Sequence, residues 1–321
     1  MKAPEIVRLG HVILQVTDLA ASRAFYVGLL GLDVVDESAK HLCLRGVEDR
    51  EWTLMLEASS APGVRQIGFK VSAEEDLDGL EQLAGRLGLT SARRQEVERP
   101  SLLTLDDPFG SPLAFYFASV KRPWLLQQYD RRRCPSIQRI DHVNLFVANP
   151  GQALTWYRDA LGFRLTEYTE DEAGNVWAAW LHRKGNVHDV AFTNGAGPRL
   201  HHVAFWMPDA AQVLQLCDVL GASRTGAIER GPGRHGISNA LYLYLRDPDG
   251  HRVEIYTSDY LTVDPDFEPT RWRLDDPYRQ QLWGGLAPKS WFTEGSPFTR
   301  ADGSHRPLTP PVLEGLPRYI S

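Results

Sequence analysis

The sequence predicts an α+β fold in two homologous domains, each built from two paired βαβββ units, with a C-terminal tail covering the second domain. Three observations carry the prediction. The chain opens twice with one strand pattern, RLGHVILQV at residues 8–16 and RIDHVNLFV at 139–147. Each opening runs into a helix-like stretch that stops at a leucine-glycine break, DLAASRAFYVGLLGL (18–32) and NPGQALTWYRDALGF (149–163). Further matching segments then follow in the same order in both halves.

The openings alternate apolar and polar residues, as a half-buried strand does. Glycine ends the stretches after them because it takes the left-handed helix cap without strain. VRQIGFKV (64–71) next matches RLHHVAFWM (199–207), and each leads into another helix, at 72–88 and 208–221. Finally TLDDPFGSPLAFYF (104–117) matches YLRDPDGHRVEIYT (244–257). The three matches lie 131, 136 and 140 residues apart, a slow drift that loop insertions explain. Domains are therefore expected at 1–119 and 140–257, joined by a linker at 120–139. Pairing two strand-helix-strands units within a domain buries a sheet face that neither unit buries alone. In the tail, 258–321, the aromatic-rich stretch 271–292 is expected to fold back as a lid over a domain, and the last twenty or so residues, from about Thr299, to be poorly ordered.

Composition narrows the function. Over 321 residues, 43% are hydrophobic and 24% charged, which fits a packed globular protein. A net charge of −6 argues against nucleic-acid and anionic-membrane partners. No apolar run is long enough for a membrane span or a signal peptide. Three widely spaced cysteines, Cys43, Cys134 and Cys217, fit reduced thiols in a cytoplasm better than a disulfide framework.

Three residues of the second domain form a candidate metal site. His142 and His202 each stand at the start of a unit, and Glu254 lies on the last expected strand. Two neutral imidazoles and a carboxylate suit a divalent transition metal, as in non-haem Fe(II) oxygenases, or a hydrolytic zinc. The first domain has His11, Gln66 and Ala114 at the matching positions, so one metal per chain is expected, in the second domain. The alternative is a pair of hydrogen-bonded core histidines. The repeat selects His202 over His201, which alternates to the other strand face and is expected to support the site or the fold. In Asp247-Pro248-Asp249-Gly250, turn chemistry favours a three-residue loop with a glycine bulge. Asp247 then pairs with His251, and Tyr244 sits opposite Glu254, where its hydroxyl is a hydrogen-bond or proton donor to a bound substrate. Tyr242 and Tyr256 share that face, so aromatic packing stays open as Tyr244's role.

Over about residues 5–292 the pattern resembles the vicinal oxygen chelate superfamily. With only its second domain metallated, it is similar to the type I extradiol catechol dioxygenases. DHVNLFV, NVHDVAFT, HHVAF, YLRDPDGHRVE and RGPGRHG carry the resemblance, which is greatest to the homoprotocatechuate (3,4-dihydroxyphenylacetate) 2,3-dioxygenases. It implies Fe(II), with Mn(II) as the alternative, dioxygen and a small aromatic diol as substrates, and a homotetramer. It implies that His188 assists acid-base chemistry beside the dioxygen position, that Asn144 contacts oxygen or substrate, and that His235 hydrogen-bonds the substrate. Trp180 is implied as a pocket wall. Arg230 and Arg279 are implied to bind a substrate carboxylate, with Arg271 or Arg273 able to replace Arg279. The expected reaction is ring opening of the diol to a muconic semialdehyde with both atoms of dioxygen retained. A metal-dependent lyase or isomerase, and a metal-free aromatic-binding protein, are the competing readings on the same scaffold.

Overall fold

A computed structural model describes residues 4–132 and 135–318, so Cys134 lies outside the described residues. The N-terminal domain holds β1 (Ile6–Val16), α1 (Leu19–Arg23), β2 (Asp33–Glu37), β3 (His41–Arg45) and β4 (Leu54–Ala58). It continues with β5 (Gly63–Val71), α2 (Glu75–Arg86), β6 (Ser91–Glu96), β7 (Arg99–Asp106) and β8 (Pro112–Tyr116). These strands form one sheet in the order β2-β3-β4-β1-β5-β8-β7-β6. Each βαβββ unit supplies four adjacent strands, and the units meet where β1 and β5 pair antiparallel.

The second domain repeats the plan with β9 (Arg139–Val147), α3 (Pro150–Leu161), β10 (Arg164–Glu170), β11 (Val176–His182) and β12 (Val190–Asn194). Its second unit is β13 (Arg199–Trp206), α4 (Ala210–Ser223), β14 (Ile228–Arg234), β15 (Leu241–Arg246) and β16 (Arg252–Thr257). The sheet order is β14-β15-β16-β13-β9-β12-β11-β10, and the tail adds β17 (Thr270–Arg273) beside β10. Two short tail helices, α5 (Pro277–Gln280) and α6 (Lys289–Thr293), precede β18 (Ser296–Pro297), which pairs with β13.

Local sequence explains the helix ends. Asp18 and Asn149 cap α1 and α3 through their side-chain oxygens, and Gly162 closes α3 in the left-handed conformation, φ 71°. One stretch departs from expectation. The helix starting at Leu19 is α-helical for five residues only and then widens into a π-helical turn, Ala24–Leu29, where the Leu30 amide bonds back to Phe25.

The domains join with near two-fold reciprocity. Asp189 accepts from the Leu9 amide at 2.8 Å, and its counterpart Asp49 faces the Ile140 amide at 3.4 Å. The Tyr26 hydroxyl donates to Asp247 at 2.9 Å, and Tyr157 donates to Asp107 at 2.8 Å. All of these groups are buried, so each bond also avoids an unpaired polar group.

The tail covers the second domain, as expected, and reaches the N-terminal domain as well. The segment after Thr299, expected to be poorly ordered, is held by specific bonds. The Thr299 amide donates to Val64, and Arg306 pairs bidentately with Asp106 at 2.6 and 2.9 Å, both on the N-terminal domain. The chain then returns to the second domain, where Thr309 pairs with Gly197 and the Val312 amide donates to Ala148. Buried Arg252 secures the earlier part. Its guanidinium donates to Glu229 twice and to the carbonyls of His201, Ser290 and Glu294. Arginine suits this position because its planar fork reaches several acceptors at once.

Candidate metal centre

His142 on β9, His202 on β13 and Glu254 on β16 meet in the middle of the second sheet. Ala204 of β13 lies opposite both His142 and Glu254, on its two sides. Neighbours in register share a sheet face, so the two side chains reach over a methyl group toward one point. Glu254 Oε2 lies 3.0 Å from Nε2 of each imidazole, and the two Nε2 atoms are 3.4 Å apart. All three residues are buried.

Hydrogen bonds assign the tautomers. His142 Nδ1 is 2.9 Å from the Asp141 carboxylate, which only accepts, so Nδ1 donates there and Nε2 is the nitrogen turned toward Glu254. His201 Nε2 is 2.7 Å from the Trp291 carbonyl and must donate to it. Its Nδ1 is then an acceptor, 2.6 Å from His202 Nδ1, so His202 too turns its Nε2 toward Glu254. Two Nε2 atoms and a carboxylate oxygen thus converge, which is the donor set a divalent transition metal takes.

The placement of His201 corrects the expectation that it turns to the opposite face. Pairing between β13 and β9 slips at Asp141 and again at His201. At each β-bulge the residue before the triad histidine turns behind it and binds its Nδ1. The N-terminal sheet has slips at the matching places, before His11 and before Gln66, without the ligands. There the His11 ring lies against Gly68, the counterpart of Ala204, so closely that an added Cβ would fall 1.8 Å from it. His11 Nε2 is 2.8 Å from the Gln66 amide nitrogen, and Arg99 packs between Trp52 and Tyr116. Besides the triad, one further group among the described residues brings possible ligands together, Asp36, His41 and Cys43. Both His41 ring nitrogens are taken by Asp36 and Ser38, and burial pushes the Cys43 thiol up to about 12, so this group is a hydrogen-bonded cluster around a neutral thiol.

The triad opens on a cavity. Of the expected residues, Asn144, Trp180, His188, His235, Tyr244 and Arg279 line it with His142, His202 and Glu254. The His188 ring sits 3.8 Å from that of His142, and its Nδ1 is buried without a protein partner. Burial, reinforced by His142, holds His188 well below the usual histidine range, so it is neutral. Asn144 accepts from Thr193 at 3.0 Å. Tyr244 sits opposite Glu254 in the ladder, and the turn at Asp247–His251 has the expected form, with Gly250 at φ 84°. Burial, and then Glu254, keep Tyr244 a phenol at any ordinary pH. His235 Nδ1 bonds the Gln280 carbonyl, so its Nε2 accepts from the Tyr244 hydroxyl at 3.2 Å. Burial, helped by Arg230, lowers His235 to about 3.

Arg230 is not part of the cavity wall. It lies behind it, against Tyr242, Tyr244 and Trp291. Arg230 and Arg279 are 4% and 5% exposed, and neither has an acidic partner within ion-pair distance among the described residues. Nitrogens of both lack any partner, and burial lowers Arg279 to about 10. Arg271 and Arg273, the alternatives, are exposed and pair with Glu170 and Asp275.

Other supports escape a reading of the sequence. Lys184 donates to the carbonyls of Asp141 and His188, both at 2.5 Å, and to Asp189, tying a ligand strand to the His188 loop. The tail adds Trp291, Phe292 and Pro317 to the cavity wall. The aromatic density of 271–292 signals the first two, but nothing local signals Lys184 or Pro317.

The chain is similar to known proteins over most of its length. The model of the Glyoxalase/Bleomycin resistance protein/Dioxygenase superfamily matches residues 8–115 and 139–255. A manganese-dependent 2,3-dihydroxybiphenyl 1,2-dioxygenase of Geobacillus genomosp. 3 is 30% identical over 88% of this chain and 94% of its own. Homoprotocatechuate 2,3-dioxygenase of Brevibacterium fuscum, solved with 3,4-dihydroxyphenylacetate, is 41% identical with a TM-score of 0.93, covering 96% of this chain and 98% of that one. The Arthrobacter globiformis enzyme of the same name is 40% identical with a TM-score of 0.93, over 96% and 97%. The alternation of strands, the repeat and the single buried triad thus have one explanation: the chain belongs to this superfamily and, within it, is an extradiol ring-cleaving dioxygenase.

Proposed function

We propose that the protein cleaves 3,4-dihydroxyphenylacetate next to its diol in an Fe(II)-dependent reaction, giving 5-carboxymethyl-2-hydroxymuconic semialdehyde in the breakdown of aromatic compounds. The observation that carries the substrate is the pair of buried guanidinium groups without acidic partners, Arg279 in the cavity wall and Arg230 just behind it. Burying an unpaired cation is costly, and an anionic substrate arm removes that cost. His142, His202 and Glu254 would hold the metal. When bound, a divalent metal supplies positive charge for the diol oxygens and an electronic path from ring to dioxygen. Fe(II) and Mn(II) both accept two imidazoles and a carboxylate, and a relative is named for manganese.

The side chains then have distinct work. Tyr244, with its proton directed at His235, presents an oxygen that can accept a hydrogen bond from the diol. His188 offers a neutral ring nitrogen that no protein group satisfies, suited to holding a proton as the ring opens. Asn144 and Trp180 shape the wall around the reacting ring. Both oxygen atoms of O2 end in the product, so no other reductant is required. This reading places the enzyme in a reducing cytoplasm as a homotetramer, and light scattering at four times 36.1 kDa tests the latter.

A second substrate, a catechol without a carboxylate, is favoured by Arg230 standing behind Tyr244 and Trp291. Dioxygen uptake by anaerobically purified, Fe(II)-loaded protein decides between them. The expected result is one O2 per 3,4-dihydroxyphenylacetate with yellow product, at a lower KM than for catechol. Equal KM values would remove the carboxylate argument. No uptake with either diol by protein shown to hold iron would overturn the reading. Mn(II)-loaded protein in parallel reports the metal preference.

A further inference from the structure

Glu167 lies on β10, outside the cavity wall, and is almost wholly buried. Its carboxylate has no cation within ion-pair distance among the described residues. Three neutral donors converge on it instead: the Ser238 amide at 2.7 Å, the Tyr260 hydroxyl, and the Trp272 indole nitrogen at 2.6 Å. The donors come from three separate segments. Ser238 belongs to the turn after His235, Tyr260 to the start of the tail, and Trp272 to β17, a few residues before Arg279.

The turn needs such an anchor. Ser238 and Asn239 both have positive φ, 61° and 51°, a conformation that costs a non-glycine residue free energy. The turn also forms one end of the cavity, since His235, Ile237, Ser238 and Ala240 line it. A hydrogen-bonded path places that end away from the metal ligands. Tyr244 stands opposite Glu254, His235 bonds Tyr244, and Gln280 beside Arg279 bonds His235. Trp272 packs with Trp177, Trp180 and Ile237 on the same wall.

We propose that Glu167 is a positioning residue that sets the end of the cavity receiving the substituent of the catechol, by latching the His235–Asn239 turn to the tail that carries Arg279. It touches no substrate and acts through the backbone it holds. The inference rests on the reading of the cavity as the catechol site.

Glu167→Gln tests it with little change of volume. The amide oxygen still accepts two donors, but its NH2 then faces a third donor. With the Trp272 indole as that donor, Trp272→Phe removes the conflict. Steady-state kinetics are measured with 3,4-dihydroxyphenylacetate and with catechol, alongside bound metal and far-ultraviolet circular dichroism. For Glu167→Gln, KM for 3,4-dihydroxyphenylacetate rises about fivefold or more, the equivalent of one lost hydrogen bond, while kcat stays within about twofold. Metal content is unchanged, and KM for catechol rises less. In the double variant KM returns toward that of Trp272→Phe alone. An unchanged KM in Glu167→Gln, or parallel losses of kcat, metal and KM without recovery in the double variant, would overturn the proposal while wild-type turnover stands. A wild type that turns over neither diol overturns the parent reading and this inference with it.

Discussion

Asp107 closes the turn between β7 and β8 and, through Tyr157, joins the N-terminal domain to α3 of the second. It accepts from the Phe109 and Ser111 amides as well, yet burial still raises it from 3.8 to about 6. For a carboxyl raised on folding, the native state binds more protons than the unfolded chain between those two values. Its contribution to stability is therefore complete below the unfolded value and is lost as pH rises through about 6. The full difference amounts to ~3 kcal/mol, of which ~1.4 kcal/mol is gained between pH 8 and pH 5. Asp107→Asn keeps the shape and an acceptor for the two amides, and the Tyr157 hydroxyl can turn to accept from the new NH2. The assay is urea unfolding of wild type and variant at pH 5, 6, 7 and 8, both freed of metal so that metal uptake adds no proton linkage. The wild-type minus variant difference should grow by ~1.4 kcal/mol from pH 8 to pH 5, because all other titrating groups cancel. A difference that is flat, or that grows toward pH 8, refutes the argument.

Three further outcomes follow from the same geometry. His202→Ala removes one of three converging donors, and atomic absorption should find less than about a tenth of the wild-type metal, since one imidazole and one carboxylate hold a divalent ion weakly. Arg279→Gln should raise KM for 3,4-dihydroxyphenylacetate about tenfold or more, the loss of a charge-assisted pair, and leave KM for catechol nearly unchanged; equal effects on both would take the arginine out of substrate binding. Arg252→Met removes the bidentate partner of Glu229, leaving it Arg246 alone, and frees the tail, so unfolding should cost about 1.5–3 kcal/mol less, with the tail more open to limited proteolysis. Arg252, with Arg246 after it, holds Glu229 at about 2 against the burial that raises it. That support is present above the usual glutamate value and fades as pH falls toward 2, so wild type and variant should converge in acid.

The sequence by itself determined whatever depends on short-range periodicity and on comparison of one half with the other. Alternation with period two, turn residues at known offsets and glycine helix stops are local properties, and they placed the strand openings, the cap at Gly162 and the register of Tyr244 against Glu254. The repeat separated His142, His202 and Glu254 from other polar residues by showing what the first domain lacks. Tertiary structure decided the rest. A bulge inserts one residue and cancels the alternation from which His201 was assigned to the opposite face, and only pairing with β9 reveals it. Lys184, Glu167 and Arg252 act through acceptors or donors brought from other strands and from the tail, and the tail's path over both domains consists of such contacts. Their partners are backbone carbonyls, amides and single side chains far apart along the chain. Neither end of such a bond carries a motif, because what makes it favourable is burial in the finished fold, where an unpaired polar group costs most.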